Sequence, residues 1–332
     1  MFLGIDTSNY TTSLALFDGE NIIQRKKVLT VKKGERGLRQ SDAVFQHTVN
    51  MPLLMNELDF SSGIDSVGVS TRPRSVEGSY MPCFLVGENV ATAVSKTSNV
   101  PLYKTSHQVG HILAALYSVK RLDLINKKFI AFHLSGGTTE ALIVTPDNDG
   151  IVKCTLVASS SDLKAGQAVD RTGVLLGLDF PCGKELDALS EKSDREFKIK
   201  PSMQGLNCSL SGAENKVKKM MADNESREDI AKFVLSFVSA SVLEMCKRVI
   251  KEYGEFPILF SGGVSSNSLL RKTINDNLDA YFAESEFSLD NASGTAVYAY
   301  LKNEINLLHN STSWKITKPL RKFKLVIKKI IN

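Results

Sequence analysis

Residues 2–17, FLGIDTSNYTTSLALF, predict two strands joined by a polar turn, and this unit is the basis of the fold prediction. Residues 2–5 form an apolar run, 6–10 are typical of a turn, and 12–17 return as a second strand. Asp18-Gly19 is a hairpin signal and leads into a third strand over about residues 21–31. The chain therefore begins with an antiparallel meander.

The same pattern recurs downstream. Residues 129–144, FIAFHLSGGTTEALIV, align with 2–17 at a constant offset of 127, which places Ser8 over Ser135. Repeated strand–turn–strand units predict two like domains that face each other across a cleft. Polar, glycine-rich turns between paired strands suit phosphate binding, since their backbone N–H groups can point inward without interference from Cβ.

Helical patterns alternate with these strands, which favours an α/β fold. They cover about residues 40–60, 85–98, 106–121, 165–177, 184–195, 227–252 and 292–308. Near the end, a short buried strand at 257–260 runs into a Gly-Gly turn at 261–267 and a helix that begins near Leu269. A strand, a glycine turn and a helix N-terminus can contact an anion or nucleotide, although a plain βα loop has the same pattern.

Composition places the chain among ordinary globular proteins. Its 332 residues, 42% hydrophobic and 23% charged, are enough for about two domains. No apolar run approaches the ~18 residues of a membrane span, and the N-terminus lacks the basic region of a signal peptide. The five cysteines are scattered and never in C-x-x-C spacing, so we expect reduced thiols and a cytoplasmic protein.

The positive charge is concentrated at the C-terminus. Residues 315–332 hold seven basic groups and no acid, which leaves 34 basic against 36 acidic residues in positions 1–314. Such a tail could contact RNA phosphates or an anionic membrane, or it could be a solvated, partly disordered terminus.

Two histidines lie on one face of the helix predicted around 106–121. His107 and His111 are four residues apart, while the apolar residues of this helix fall on the opposite side. This spacing lets two imidazoles bind one metal ion, although a pair of solvated histidines would look the same. Gln108 stands where an H-E-x-x-H zinc protease carries its general base, so proteolysis is disfavoured.

Taken together, the motifs resemble the TsaD-type threonylcarbamoyl transferases, long labelled glycoproteases, from residue 1 to about 308. The matching segments are the opening 4–8, the pair His107 and His111, the turn 135–139, the stretches 165–170 and 175–183, the turn 262–267 and the segment 290–292. The resemblance implies an α/β fold of duplicated actin, acetate- and sugar-kinase (ribonuclease H-like) type with two domains. They are predicted over 1–125, completed by helix 292–308, and over 126–291 with a helical insertion, followed by a basic tail over 309–332.

The resemblance also implies the site. The metal ligands would be His107, His111, His133 and Asp290. An alternative for His133 is a buried strand histidine with one hydrogen-bond partner. The residues implied to bind substrate and nucleotide are Asp6, Ser8, Leu134, Ser135, Gly136, Gly137, Thr138, Asp170, Gly183, Asp187, Gly262, Gly263 and Asn267. Among these, Asp170 and Asp187 would address the ribose hydroxyls. No general base is identified.

By the same resemblance, the reaction would move a threonylcarbamoyl group from threonylcarbamoyl-AMP to the exocyclic amine of the tRNA adenosine next to the anticodon. The cofactors would be one divalent ion, Fe(II) or Zn(II), and an adenine nucleotide (threonylcarbamoyl-AMP, AMP or ATP). Expected partners are tRNA, a TsaB-like paralogue and a small TsaE-like ATPase, with no membrane.

Three segments depart from the family pattern. Residues 71–82, TRPRSVEGSYMP, replace a Gly-Pro-Gly loop; their arginines could form an anion site or pair with Glu77. Thr138 stands where histidine or asparagine is usual, and Glu214 where lysine is usual. Two alternatives therefore remain: a TsaD-like carbamoyl transferase or ATP-using enzyme with a non-tRNA acceptor, and a non-catalytic nucleotide-binding partner subunit.

Overall fold

The opening strand is buried along its whole length and forms the centre of a five-stranded sheet. The computed structural model describes residues 1–8, 10–31 and 38–317. The strands are β1 (Phe2–Asp6), β2 (Thr11–Phe17), β3 (Ile22–Val28), β4 (Ser66–Ser70), β5 (Leu102–Thr105), β6 (Phe129–Leu134), β7 (Thr139–Asp147), β8 (Ile151–Ser159), β9 (Ser202–Gln204), β10 (Asn207–Ser209), β11 (Ile258–Ser261) and β12 (Ala280–Phe282).

The helices follow the apolar periodicity of the sequence. They are α1 (Gln40–Met55), α2 (Phe84–Ser98), α3 (His107–Ser118), α4 (Ala165–Leu175), α5 (Gly183–Ser190), α6 (Ser211–Ala222), α7 (Arg227–Tyr253), α8 (Ser268–Asn275), α9 (Ser285–Ser288), α10 (Ser293–Asn310) and α11 (Thr312–Ile316). Short 3-10 turns cover Leu122–Asn126 and Gly263–Ser266. Among the helices of the described residues, none combines the length and the apolar composition of a membrane span.

Two larger sheets have the same strand order. The first runs β3-β2-β1-β4-β5 and the second β8-β7-β6-β11-β12, each with an antiparallel meander followed by two parallel strands. The register repeats as well: Phe2 pairs with Phe17, and Phe129 pairs with Val144, 127 positions further along in both strands. These features confirm the predicted α/β class and the internal duplication.

One pair of equivalent positions carries different chemistry. Asp6 ends β1, and its carboxylate accepts a hydrogen bond from the Ser70 hydroxyl at the end of β4. The same step along the second sheet takes Asp6 to His133 and Ser70 to Ser261, and there the imidazole Nδ1 lies 3.1 Å from the serine Oγ. One backbone arrangement thus holds a carboxyl group in the first sheet and an imidazole in the second.

The chain forms two compact units, neither of which is continuous in sequence. Among the described residues, unit 1 comprises those within Met1–Pro73, Tyr80–Ser106 and Thr295–Thr317, and unit 2 comprises Arg74–Ser79 and His107–Gly294. Helix α3, although it follows β5, therefore belongs to unit 2, while α10 belongs almost wholly to unit 1. The domain limits predicted from the sequence stay a prediction, and most of the basic tail, 318–332, lies outside the described residues.

Each unit has its own apolar core. In unit 1, Leu3, Ile5, Leu14 and Val67 pack beneath α1 and α2. In unit 2, the core is larger and includes the inner face of the long helix α7. The five cysteines are all free thiols, as the sequence predicts.

Candidate metal and nucleotide site

Helix α3 presents both of its histidines on one side. His107 is its first residue and His111 lies one turn later, with ring centroids 4.3 Å apart. Val109, Ile112 and Leu113 are buried on the other side of the helix and anchor it in unit 2. The amphipathic pattern seen in the sequence therefore sets the direction of both imidazoles.

Three potential metal ligands converge here. The ligand atoms of His107, His111 and Asp290 all lie within 4.8 Å of one another. Asp290 Oδ1 is 3.2 Å from His111 Nε2 and 3.4 Å from His107 Nε2. An ion held at ~2.1 Å by tetrahedral N and O ligands separates neighbouring ligand atoms by about 3.4 Å. The three side chains therefore fit one divalent ion, and imidazole with carboxylate suits Fe(II) or Zn(II).

Asp290 is in the form that such an ion requires. Burial favours the neutral carboxyl, but hydrogen bonds and charge interactions with His107 and His111 outweigh it and hold the pKa of Asp290 well below its usual range. The side chain is therefore an ionised carboxylate at neutral pH.

His133, on β6, lies beside this trio but is not part of it. Its ring centroid is 4.8 Å from that of His111, and its Nδ1 interacts with Ser261 Oγ. Burial above all, with help from the charges of His111, His107 and Arg74, lowers the pKa of His133 to about 3, so the imidazole is neutral. One ring nitrogen is hydrogen-bonded as the strand-histidine alternative requires, and a ligand role through Nε2 stays a prediction.

The second glycine turn follows β6 directly. Ser135 N donates to Thr138 O at 2.7 Å, and Thr138 N donates to Ser135 Oγ at 3.1 Å, which closes the turn. Gly136 and Gly137 are exposed, and a Cβ at either would meet nothing within 4 Å. The turn is therefore open on the side where a ligand phosphate could approach its backbone.

Two other glycines lie so close to the backbone around this turn that neither has room for a side chain. A Cβ at Gly166, in the first turn of α4, would lie 2.6 Å from Gly136 N, and one at Gly262 would lie 2.3 Å from Leu134 O. Gly262 also has φ +91°, a conformation that favours glycine. The turn 135–138, the start of α4 and the turn after β11 are thus packed together at one end of the sheet.

The residues implied to bind the nucleoside lie close to these turns but are already engaged. Asp187, on α5, accepts hydrogen bonds from Asn267 Nδ2 (2.7 Å) and from the backbone N and Oγ of Ser268 (2.9 Å each), at the start of α8. Asp170 accepts one from Cys182 N, and burial raises its pKa. Gly183 begins α5. The ribose contacts of Asp170 and Asp187 stay predictions.

Asp6 and Ser8 belong to unit 1, whereas the other candidate residues belong to unit 2. Both are buried, and Asp6 accepts hydrogen bonds from Ser8 N and from Ser70. The Ser8 hydroxyl has no hydrogen-bond partner within residues 1–8, 10–31 and 38–317.

Two residues near the trio were not among the predicted site residues. Glu140 pairs with His133 across the β6–β7 ladder, and its carboxylate forms an ion pair with Arg74 at 2.5 Å. The described part of the chain contains no ion pair between Arg74 and Glu77, the alternative partner suggested by the loop sequence. The hairpin register could have revealed Glu140, because the offset of 127 aligns it with Ser13, the partner of Asp6.

The fold and the site together define the class, a duplicated α/β fold of the actin and sugar-kinase type. Solved structures share this fold. One is component A of (R)-2-hydroxyglutaryl-CoA dehydratase from Acidaminococcus fermentans, with 15% identity and a TM-score of 0.55, covering 91% of this chain and 98% of that one. Full-length HypF in its phosphate- and nucleotide-bound form also matches (12% identity, TM-score 0.55, covering 94% of this chain and 47% of that one).

Within that class the chain belongs to the TsaD family, tRNA N6-adenosine threonylcarbamoyltransferase, whose model matches residues 30–297. The tRNA N6-adenosine threonylcarbamoyltransferase of Thermosipho africanus is 29% identical over 330 residues, with 93% of this chain and 96% of that protein covered. The chain is therefore an enzyme of the acyltransferase class, and the resemblance seen in the sequence is confirmed.

Proposed function

We propose that this enzyme transfers a threonylcarbamoyl group from threonylcarbamoyl-AMP to the exocyclic amine of the tRNA adenosine beside the anticodon. The observation that carries the proposal is the convergence of His107, His111 and Asp290, with all ligand atoms within 4.8 Å. Family membership supplies the reaction class, and the open turn at Gly136 and Gly137 supports a phosphate site close to the end of β6.

His107, His111 and Asp290, with His133 beside them, would hold one divalent ion, Fe(II) or Zn(II). When bound, such an ion acts as a Lewis acid on the acyl carbonyl. The neutral state of His133 and the ionised state of Asp290 suit this role, because metal ligands must be deprotonated.

The chain's own groups would orient the two reactants. The turn 135–138 and the turn 262–263 would hold the phosphate of the adenylate, and Asp170 and Asp187 the ribose. The tRNA amine would attack the carbonyl carbon and form the new N–C bond, while the C–O bond to the phosphate breaks and its electron pair stays on the phosphate oxygen of the departing AMP. The proton that the amine loses would pass to solvent water. Fixing the amine against the carbonyl would supply most of the acceleration, since orientation alone can contribute about 7–11 kcal/mol.

The acid at position 214 does not argue against an RNA substrate. Glu214 is bonded to Lys218 at 2.7 Å and to Arg171 at 2.9 Å, and these two cations lower its pKa. The carboxylate is thus matched by two neighbouring positive charges.

We further propose that a TsaB-like paralogue and a small TsaE-like ATPase assist the reaction, and that it takes place in the cytoplasm.

A second candidate function is transfer of a carbamoyl-type group to a non-tRNA acceptor. The observation that favours it is the ion pair of Arg74 and Glu140, which brings the segment that departs from the family pattern next to His133. Mass analysis of the digested nucleosides separates the two candidates.

The test is a transfer assay with purified chain, Zn(II) or Fe(II), threonylcarbamoyl-AMP and unmodified tRNA, with and without the two partner proteins. We expect threonylcarbamoyl-adenosine among the digested nucleosides by mass spectrometry. His111→Ala should remove the bound metal, because a ligand is lost, and should lower the rate by at least the about 10- to 100-fold that loss of a mere ligand-supporting residue costs. His309→Ala, on the exposed end of α10, is the matched control and should change neither. Release of AMP without modified nucleoside under every condition would favour the second candidate.

A further inference from the structure

The ion pair of Arg74 and Glu140 lies directly beside the candidate metal site. Glu140 and His133 are opposite each other in the antiparallel β6–β7 ladder. Side chains at directly paired positions lie on the same face of the sheet, with Cβ atoms about 4.5–5.5 Å apart. Glu140 therefore stands next to His133, which in turn contacts His111.

Glu140 fixes the position of the Arg74 guanidinium. The two side chains meet at 2.5 Å, and the Glu140 side chain is only 14% exposed. The Arg74 backbone N–H donates to Ser79 Oγ at 2.9 Å, which closes the segment Arg74–Ser79 on itself. This short segment belongs to unit 2, whereas the chain on both sides of it belongs to unit 1. Arg74 is thus anchored twice, its guanidinium by the Glu140 carboxylate and its backbone by the loop hydrogen bond to Ser79.

Most of the guanidinium remains available. It has five N–H groups, and within the described residues Glu140 is its single hydrogen-bond acceptor. The Arg74 side chain is 41% exposed, and its charge is close enough to contribute to the low pKa of His133. A cation with free, fixed donors therefore borders the place where the acyl group would be held.

We propose that Arg74 binds a carboxylate on the transferred acyl group, and so selects acyl groups that carry one. A planar guanidinium forms two parallel hydrogen bonds with a carboxylate, which a lysine does not reproduce. The inference rests on the proposed function, since the threonylcarbamoyl group has such a carboxylate. It adds that specificity for the threonylcarbamoyl group depends on a residue of the segment 71–82, which differs from the family pattern. A purely structural pair is the competing explanation.

The test measures binding to the metal-loaded protein and needs no transfer. The probes are N-carbamoyl-L-threonine and the analogue in which the carboxylate is reduced to a hydroxymethyl group, compared by calorimetry in the presence of Zn(II). The wild-type protein should prefer the acid. Arg74→Gln should reduce that preference about 10- to 100-fold, the range expected for a hydrogen bond to a charged group. Arg74→Lys should be intermediate, because it keeps the charge but not the fork.

Two further variants separate recognition from structure. Arg72→Gln makes the same charge change two residues earlier, in unit 1, and should leave the preference unchanged. Glu140→Gln keeps an acceptor for Arg74 and should retain most of it, whereas a purely structural pair predicts equal losses in Glu140→Gln and Arg74→Gln. Zinc content and thermal unfolding are recorded for every variant, so that a folding defect is recognised.

The outcomes bear separately on the two proposals. If Arg74→Gln keeps the wild-type preference, or the wild-type protein shows none, Arg74 does not select a carboxylate, whatever the transfer assay gives. If the preference is present and depends on Arg74 while no tRNA is modified, the carboxylate subsite stands and the tRNA acceptor fails.

Discussion

A single buried imidazole shows how strongly this fold constrains ionisation. His47, on α1, is fully buried, and its Nδ1 is hydrogen-bonded to Thr12 Oγ1 at 2.8 Å. The same Thr12 oxygen accepts a hydrogen bond from Asn50 Nδ2. Its Nε2 has no hydrogen-bond partner among the described residues. Burial lowers the pKa of His47 to about 4, although the charge of Asp6 acts in the opposite direction. His47 is therefore neutral in the folded protein at neutral pH.

This low pKa predicts acid sensitivity. Above pH 6.5 the residue is neutral in both states and contributes no pH dependence. As the pH is lowered from 6.5 to about 4, the unfolded chain binds a proton that the folded chain does not. The free energy of unfolding therefore falls over this window, by roughly 3 kcal/mol in total. Urea unfolding at several pH values should show a flatter slope in this window for His47→Gln than for the wild-type protein.

His309→Gln serves as the control for this measurement, since His309 is exposed on α10, and it should keep the wild-type slope. Equal slopes for His47→Gln and the wild-type protein would show that His47 does not cause the acid sensitivity.

Single residues of the candidate site differ in how far the sequence could predict them. His107 and His111 are set by helical spacing alone, since the apolar side of α3 decides where both rings point. Asp290 lies 179 positions beyond His111, so its place beside the pair came only from the resemblance. The partner of Arg74 is 66 residues away, and no local pattern distinguishes Glu140 from the nearer Glu77.

Among the elements, α3 and the start of α10 approach each other so closely that only a glycine fits between their backbones. A Cβ at Gly294 would lie 1.8 Å from the carbonyl oxygen of Gly110 and 2.7 Å from Ala114 N. All of these are backbone atoms, which cannot move aside as a side chain could. Because α3 carries both histidines and Asp290 lies just before α10, this contact also positions the metal ligands.

We therefore expect Gly294→Ala to destabilise the protein by more than about 2 kcal/mol, within the usual range for overpacking or above it. Zinc affinity should fall with it. Gly212→Ala is a close control: Gly212 is likewise the second residue of its helix, α6, and its Cβ would meet only Phe237 at 3.8 Å. That variant should be neutral or up to about 1 kcal/mol more stable. Equal denaturant midpoints for the two variants would contradict the steric argument.

Elements with a strong periodic pattern could be predicted within a few residues. The helix expected at 227–252 is α7, Arg227–Tyr253, and the third strand expected at 21–31 is β3, Ile22–Val28. Helix α6 escaped prediction because its sequence is rich in lysine and buries only Ala213, Val217 and Met220. The short strands β4 and β5 also escaped, since five and four residues show little periodicity and their pairing depends on distant partners.

At the scale of the whole molecule, the chain returns at its end to complete the unit in which it began. Tyr300 of α10 packs edge-on against Phe2 and Phe17, at centroid distances of 5.1 and 5.3 Å. Gly68 of β4 is also covered, because a Cβ at this position would lie 2.3 Å from Thr295 O and 3.1 Å from the Ala299 Cβ. Unit 1 is therefore incomplete until residues near 300 have been added.

Loss of the packing of Tyr300 should destabilise strands that are distant from it in sequence, and the effect should remain within unit 1. Tyr300→Ala is expected to destabilise the protein by about 2–4 kcal/mol, through lost burial and lost aromatic contacts. Hydrogen exchange followed by mass spectrometry should show faster exchange in β1 and β2, with β6 and β7 little changed. Tyr80→Ala, at an exposed loop tyrosine, should leave both sheets unchanged. Uniformly faster exchange in both sheets would mean that the two units unfold together.

The equivalent positions near the ends of β1 and β6 affect which ligands the two halves of the chain can bind. Each presents one polar side chain backed by a serine hydroxyl, yet one is a carboxyl group and the other an imidazole. In a duplicated fold, one substitution at an equivalent position can thus give the two halves different ligand chemistry, without any rearrangement of the surrounding strands. Symmetry in the backbone is therefore a poor guide to symmetry in ligand binding, and each half must be assayed for its own ligand.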